Sequence, residues 1–513
     1  MELTSDYKTD LLIKKIEKMK KAIIKYAVVF CLVIISLSSC KKTIQQDPTH
    51  NKDGSTFFKN IEDYELLLNA AYARLLQSSY YGGPTGGDNT GANTFANLPD
   101  MMSDNEFESS ESLANYQNFS RWTYTADDPV VDDIWLDAYR VVQQCNLTLR
   151  GLDNFASSNA GTVNRIKAQA ITLRALAHFD LLRCFGEQFD RNSSARGIAY
   201  VEKFDIEQKP ARLTVKGSYD KIEADLKLAK SLVLNMDKSI QGTGTAGTDR
   251  SYVDDMVINA ILARMYLYAN SLDSAIKYST IVINARPLAS RTNFPNLWID
   301  ASTAEVIWSV KFESLNSDLG GNVFYSVGNR ASYRPTTSLL NLYDQVNDIR
   351  YTSYYRNLLR GAARTTPNAR VVLIKYDAKQ ANLSKPDGIV NFKAFRTGEM
   401  YLIRAEAYAR SGGANEVLGL ADLNTLRAAR ISGYVPVVLT GAALKDAIAD
   451  ERRKELIGEG HRFFDLKRTT RTVNRITNCT NFCTLPPTAR EWAMPIPQSE
   501  MLANPSMEQN TGY

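Results

Sequence analysis

Apolar side chains recur along most of this chain at intervals of three and four, the period of a helix with one buried face. In residues 61–77 (IEDYELLLNAAYARLLQ), Tyr64, Leu67, Leu68, Ala71 and Leu75 fall on one stripe. The same period predicts helices over 134–149, 165–185, 218–234, 254–270, 273–285, 397–411 and 415–430. In 165–185 the shared face carries Ile166, Leu173, Leu176, Ala177, Leu181 and Cys184, and Gly186 is expected to end the helix as a cap. Residues 257–285 read as two helices around a tight turn at 270–273. Ala260, Ala263 and Ala275 let the two approach closely, and Tyr266 and Tyr278 fill the space between. That is how a tetratricopeptide unit packs, and 400–430 repeats the pattern around Gly412-Gly413. A period of two occurs in 305–312 (EVIWSVKF), a predicted short strand. The expected fold class is therefore mainly α.

Two stretches break the pattern. Residues 80–93 (YYGGPTGGDNTGAN) are too rich in Gly and turn formers to be regular and lead into the polar, acidic 101–112; residues 319–335 form a second Gly- and Tyr-bearing loop. Excursions this long in a compact domain are usually functional or disordered.

Tyr26 to Leu37 (YAVVFCLVIISL) is an apolar run of twelve residues behind Lys20, Lys21 and Lys25. Roughly 20 residues are needed to cross a bilayer, so the run is short for a stable span. A cationic segment, a short apolar segment and small residues make a secretory signal peptide. Met19 gives the more natural start, since MKKAIIKYAVVF is itself a signal opening. Leu37-Ser38-Ser39-Cys40 resembles a bacterial lipobox, in which the nucleophilic Cys thiol accepts a diacylglyceryl group and acyl chains anchor the domain. An ordinary cleaved signal is the alternative. Residues 1–39 are thus read as a signal peptide, 40–58 as a tether lipidated at Cys40, and 59–513 as the folded body.

Composition narrows the functional class. A length of 513 residues would fill three to four average domains at roughly 150 residues each. The 61 Lys and Arg against 56 Asp and Glu give +5, and losing the signal, with its seven Lys and four acidic residues, leaves the chain near balance. The basic residues are scattered, so no nucleic-acid partner is expected. Hydrophobic content of 44% with 23% charged residues excludes disorder and a polytopic membrane protein. The 26 Tyr and 5 Trp against 3 His suit stacking recognition better than proton transfer. Of the cysteines beyond the anchor, Cys145 and Cys184 sit in apolar helical patterns as buried thiols. Cys479 and Cys483 are close enough to bridge in an oxidising compartment. Two cysteines without a nearby His do not close a zinc site.

No catalytic pattern emerges: there is no HExxH, P-loop, GxSxG or strand-linked GxGxxG. Glu451, Glu455 and Glu459 fall at i, i+4 and i+8. They read as one helical face pairing with Arg462 or Arg468, and not as two acids facing each other across a sugar. Arg404 and Glu406 are expected to knit helices together, His178 to be a hydrogen-bonded core residue and His461 to cap a turn. Trp135, Trp298, Trp308 and Trp492 are expected in the core. The acidic set Asp104, Glu106, Glu108 and Glu111 lacks the spacing of a calcium loop, so neither metal nor cofactor is expected.

Four blocks carry a family resemblance. The first is Leu173-Arg174-Ala175 with Phe179-Asp180-Leu181-Leu182-Arg183-Cys184-Phe185-Gly186. The second is Tyr401-Leu402-Ile403-Arg404-Ala405-Glu406-Ala407-Tyr408 with Ala421-Asp422-Leu423-Asn424 and Arg427. The third runs from Glu451-Arg452-Arg453-Lys454-Glu455-Leu456 to Gly460-His461-Arg462-Phe463-Phe464-Asp465-Leu466-Lys467-Arg468. The fourth is Pro495-Ile496-Pro497, Asn504-Pro505, Gln509-Asn510 and Gly512-Tyr513. In this order they resemble the SusD/RagB family of Bacteroidetes outer-membrane lipoproteins. Ala199, where Pro is common, and the absence of acidic residues after Cys40 depart from the family pattern.

The resemblance implies about four tetratricopeptide-like hairpins in a right-handed superhelix with long loops and a few short strands, its N-terminal part about 59–235 and its C-terminal part about 250–513. It implies a non-catalytic lipoprotein on the outer membrane, facing outward. Such a protein binds a nutrient and passes it to a SusC-like TonB-dependent transporter. An oligosaccharide is the foremost ligand; peptide capture, or a tetratricopeptide scaffold without a small ligand, is the alternative. Sugars are held by aromatic faces and by planar polar side chains that take two hydroxyls. The two loop regions offer Tyr80, Tyr81, Asn89, Asn97, Asp104, Asn105 and Trp122, and Tyr325, Asn329, Arg330 and Tyr333. Of these, Tyr80, Tyr81, Asn97, Asn105, Trp122, Tyr325, Arg330 and Tyr333 are the expected ligand contacts.

Overall fold

The structure is a computed structural model that describes residues 5–37, 58–82, 94–114, 116–233, 250–313, 331–357, 370–376 and 389–513. The chain divides into Met1–Lys59 and Asn60–Tyr513. In the first unit helix α1 spans Ser5–Leu37; Cys40 lies outside the described residues. Among the described residues no helix is long and apolar enough to cross a membrane.

The second unit is built from antiparallel helices. Helix α2 (Ile61–Arg74) opens on a capping box, in which Asn60 and Asp63 each accept the other's backbone N–H. Helix α3 (Pro129–Leu149) starts five residues before its apolar stripe, because Pro129 at the first turn is preset for a helix and Asp128 accepts from Val130 N–H. Helix α4 (Ala156–Phe185) likewise begins upstream of the expected 165, through a kink at Asn159. It packs against α2, α3 and α5 (Val215–Val233). Gly186 does end it, but at φ −71°, not in the left-handed conformation. Glycine is required there by space, since a Cβ would sit 2.6 Å from the Leu182 carbonyl oxygen.

Helices α6 (Asp255–Tyr268) and α7 (Leu272–Ala285) form the expected hairpin. Ala260, Ala263 and Ala275 are sealed at its seam, and the Tyr266 and Tyr278 rings stack at 5.6 Å. Helices α8 (Thr397–Ser411) and α9 (Asn415–Arg430) match the sequence expectation residue for residue. Their turn uses Gly412 and Gly413, both at positive φ. Arg404 grips Asp422 with two hydrogen bonds of 2.8 and 2.7 Å, joining α8 to α9. Helix α10 (Gly441–Glu455) closes this group, with Ala405, Ala409, Leu423, Leu444 and Ile448 as a sealed cluster. Helix α11 (Arg462–Arg468) follows; Glu406 accepts from Nη1 and Nη2 of Arg468, which ties α8 to it. The fold is mainly α with tetratricopeptide-like hairpins, as expected. All four tryptophans assigned to the core are there, at 0–6% exposure.

Short antiparallel ladders staple segments far apart in sequence. Strand β1 (Glu106–Glu108) pairs with β3 (Tyr333–Pro335), and β2 (Val306–Val310), the strand expected within 305–312, pairs with β6 (Phe392–Arg396). Strand β4 (Tyr355–Asn357) pairs with β5 (Val371–Leu373), and β7 (Val473–Asn474) with β8 (Thr484–Leu485).

The glutamate row departs from expectation. The helix stops at Glu455, so Glu459 lies in the following turn. None of the three pairs with Arg462 or Arg468. Glu451 meets Arg350, Arg427 and Lys454; Glu455 meets Arg350, Arg396 and Arg430; Glu459 meets Arg396 and Lys375. Arg462 instead takes Asp104 in a two-pronged contact at 2.7 and 2.9 Å. His178 is a satisfied core residue: one ring nitrogen meets the Arg174 carbonyl and the other accepts from Val201 N–H. Burial and the nearby Arg174 push its pKa down to about 3, so it is neutral. His461 sits at the start of α11, where its side chain makes no capping hydrogen bond.

Candidate functional site

Most of the expected ligand residues are interior. Tyr80 and Tyr81 are 0% and 1% exposed. The Tyr80 hydroxyl donates to Asp180 at 2.6 Å, and the Tyr81 ring stacks on Phe392 at 4.8 Å. Asn97 is sealed before the short helix Leu98–Met101. Asn105 donates to Asp100 at 2.6 Å and accepts from Arg453 at 2.8 Å. Trp122 donates its indole N–H to the Met102 carbonyl, and the Arg475 guanidinium lies 4.4 Å from its ring. Tyr333 is sealed in β3. These six are corrected from ligand contacts to packing residues: a pyranose needs an open ring face or unspent polar atoms, and their faces and polar atoms are turned inward. Arg453, Arg462 and Arg475 pull the segment around 100–122 into the body, which a loop-like composition conceals. Tyr325 and Arg330, with Asn89 and Asn329, lie outside the described residues.

The open polar concavity lies next to them. A groove of about 540 Å³ runs between β1 with its following turn and the loop held by the Cys479–Cys483 disulfide. Ser109, Ser120 and Arg475 form its buried floor. Arg475 donates to the carbonyls of Met101 and Ser120, while its Nε has no hydrogen-bond partner. Burial brings the Arg475 pKa down to about 10, still charged at neutral pH. On one wall Arg121 meets Glu108 through Nε at 3.1 Å and Nη2 at 3.0 Å, and Gln117 donates to the other carboxylate oxygen. On the other wall stands Phe482, 47% exposed and held at φ +55°. A residue other than glycine is costly in that conformation, and Phe482 lies inside the loop that the disulfide closes. The Arg121 guanidinium lies 5.9 Å from the Phe482 ring. Asn478 anchors the loop by exchanging hydrogen bonds with Thr337, two residues beyond β3.

The groove therefore offers one exposed aromatic face beside a fixed carboxylate–guanidinium pair and a line of hydroxyls and amides. That is a surface for a polyhydroxylated ligand. Phe107, Arg121, Asn478 and Phe482 were not singled out from the sequence, and Glu108 was weighed there only as a metal ligand. The sequence signal was the close cysteine pair with an aromatic residue inside it.

Known proteins place the chain. The model of the SusD family matches residues 322–513, and that described as starch-binding associating with outer membrane matches residues 57–247. Two SusD-like proteins of Formosa agariphila are 24% and 22% identical to it. Those matches cover 95% and 94% of this chain and 100% and 98% of the relatives. A SusD superfamily protein from Bacteroides thetaiotaomicron superposes with a TM-score of 0.75 at 24% identity, covering 88% of this chain and all of that one. The surface glycan-binding protein A of Bacteroides uniformis superposes with a TM-score of 0.68 at 20% identity, covering 88% of this chain and 99% of that one. With four sequence blocks, both halves matched and a shared helical fold, the chain belongs to the SusD/RagB family.

Proposed function

We propose that this chain is a non-catalytic nutrient-binding protein of the outer membrane. It captures an oligosaccharide in the groove between β1 and the disulfide loop and passes it to a SusC-like TonB-dependent transporter. The observation that carries the reading is Phe482, an aromatic face held open beside the Arg121–Glu108 pair. A sugar's C–H face stacks on the ring while its hydroxyls replace water around the pair and Asn478. Hydrolysis would need two carboxylates across the bond; the described lining of the groove has one, Glu108, already held by Arg121. The glycan-binding description of the Bacteroides uniformis relative and the outer-membrane description of the family model support the same reading. Anchoring through lipidated Cys40 and an outward orientation complete it.

Isothermal titration against a panel of neutral oligosaccharides tests the proposal, with Phe482→Ala and Arg121→Ala as variants. Binding that weakens at least tenfold in both supports it. Binding unchanged in both, or binding of oligopeptides and of no glycan, overturns it.

A further inference from the structure

A second concavity shares no lining residue with the groove. It consists of two adjoining cavities of about 410 and 430 Å³ that have Arg410, Arg468 and Thr470 in common. The first, beside the end of α4, is lined by the buried Phe189, Tyr268 and Trp492, by the carboxylates Glu187 and Asp190 and by Lys467. The second is ringed by six cationic side chains, Arg410, Lys445, Arg452, Arg462, Arg468 and Arg471, against two carboxylates, Glu406 and Asp465.

The charges are not cancelled within the lining. Glu406 and Asp465 are already divided among Arg410, Arg452 and Arg468. Arg462 and Arg471 turn to Asp104 and Asp446, which lie outside the lining. Lys445 is exposed and makes no ion pair among the described residues. Each cavity also keeps a buried donor unspent. The Tyr268 hydroxyl in the first and Arg452 Nη1 in the second have no hydrogen-bond partner, in side chains 2% and 3% exposed. Buried polar groups are nearly always satisfied. Here the unspent groups can all donate, and Lys445 adds a cation that makes no ion pair among the described residues.

An acceptor-rich anion answers both features. From the joined cavities, the unspent donor in each and the cationic end at Lys445, we infer that this trough is a second binding site, for a saccharide bearing a carboxylate or sulfate group. The anionic substituent sits among Arg410, Lys445 and Arg452, and the saccharide's hydroxyls extend toward Thr470, Asn270 and the Tyr268 hydroxyl. A charged site in a partly closed cavity is screened less than an exposed one, yet entry through the exposed Lys445 end makes association depend on salt. The site would let the protein hold an acidic glycan independently of what the groove binds.

The test titrates the whole protein with trigalacturonate, its methyl ester and a sulfated galacto-oligosaccharide at 20 and 300 mM salt. The expected result is binding of at least one of the two anions, at least tenfold tighter than the neutral ester and weaker at high salt. The double variant Arg410→Gln with Lys445→Gln, which removes the Arg410–Glu406 contact but leaves Glu406 paired with Arg468 and Arg452, should weaken it at least tenfold. Phe482→Ala, which alters the groove alone, should leave it within twofold. Binding of neither anion, equal binding of the ester, tighter binding of a tyrosine-containing acidic tripeptide, or loss in Phe482→Ala with the double variant unaffected overturns the inference.

Discussion

Arg430 and Glu455 meet at 2.9 Å with both side chains fully sealed from solvent, although one ends α9 and the other ends α10. Glu455 also holds Arg396 and Arg350, and Arg430 also reaches Glu305. The network thus joins the end of the helical array to the strand segments that frame the loops. A buried pair is weak evidence for net stability, but removing one partner strands charge in the interior. Glu455→Ala should therefore destabilise the fold by about 3–5 kcal/mol, read from urea unfolding. A cost below about 1 kcal/mol would mean that water enters and solvates the three guanidinium groups.

The acid limb of stability should be steep. Burial raises the Glu406 pKa, but Arg468, Arg452 and Arg410 lower it more, leaving it at about 2; Asp104, buried against Arg462 and Arg453, also falls to about 2. Groups depressed in the fold contribute stability above their unfolded values, near 4.5 and 3.8, and that contribution is lost as pH falls toward 2. Glu406→Gln should cost about 3 kcal/mol at pH 7 and converge on the parent protein near pH 2. Urea midpoints measured from pH 7 to 2.5 check this; parallel curves for the two proteins would contradict it.

Glu106 predicts the opposite sign. Its carboxylate oxygens are buried without a hydrogen-bond partner, and burial, reinforced by neighbouring Asp100, raises its pKa well above the usual carboxylate range. The folded state holds it protonated while the unfolded chain ionises near 4.5, so its contribution falls as pH rises above that value. Glu106→Gln should stabilise the protein at pH 8 and have a smaller effect near pH 4.5. Equal effects at both pH values in thermal or urea unfolding would show that Glu106 is ionised in the fold.

The helices were legible because their signal is local. In α8 and α9 the apolar period, the flanking glycines and the loop composition all agree, and the observed bounds equal the expected ones. Starts set by caps were less visible, as Pro129 and Asp128 show: they carry the helix upstream of its apolar stripe. The site was largely illegible, because burial of a loop residue is decided by distant partners. Asn105 is interior because of Arg453, 348 residues away, and Asp104 because of Arg462, 358 residues away. Composition marks a segment as irregular and says nothing of which arginine later draws it in. The disulfide pairing was local, and so could be read from spacing.

That disulfide yields the last prediction. Cys479 and Cys483 close a five-residue loop that carries Phe482 at positive φ on the groove wall. Closing so short a loop stabilises the fold by about 2 kcal/mol through the entropy of the unfolded chain. Its larger consequence is positional: without the bridge, Phe482 can leave a conformation that side chains disfavour and lose its place facing Arg121. Cys479→Ser with Cys483→Ser should therefore lower unfolding stability by about 2 kcal/mol. Binding of a groove ligand should weaken about as much as in Phe482→Ala, with binding in the second trough unchanged. If groove affinity survives the loss of the bridge while stability falls, the Asn478–Thr337 contact alone fixes the loop, and Phe482→Ala in the bridge-free protein should then cost the full tenfold.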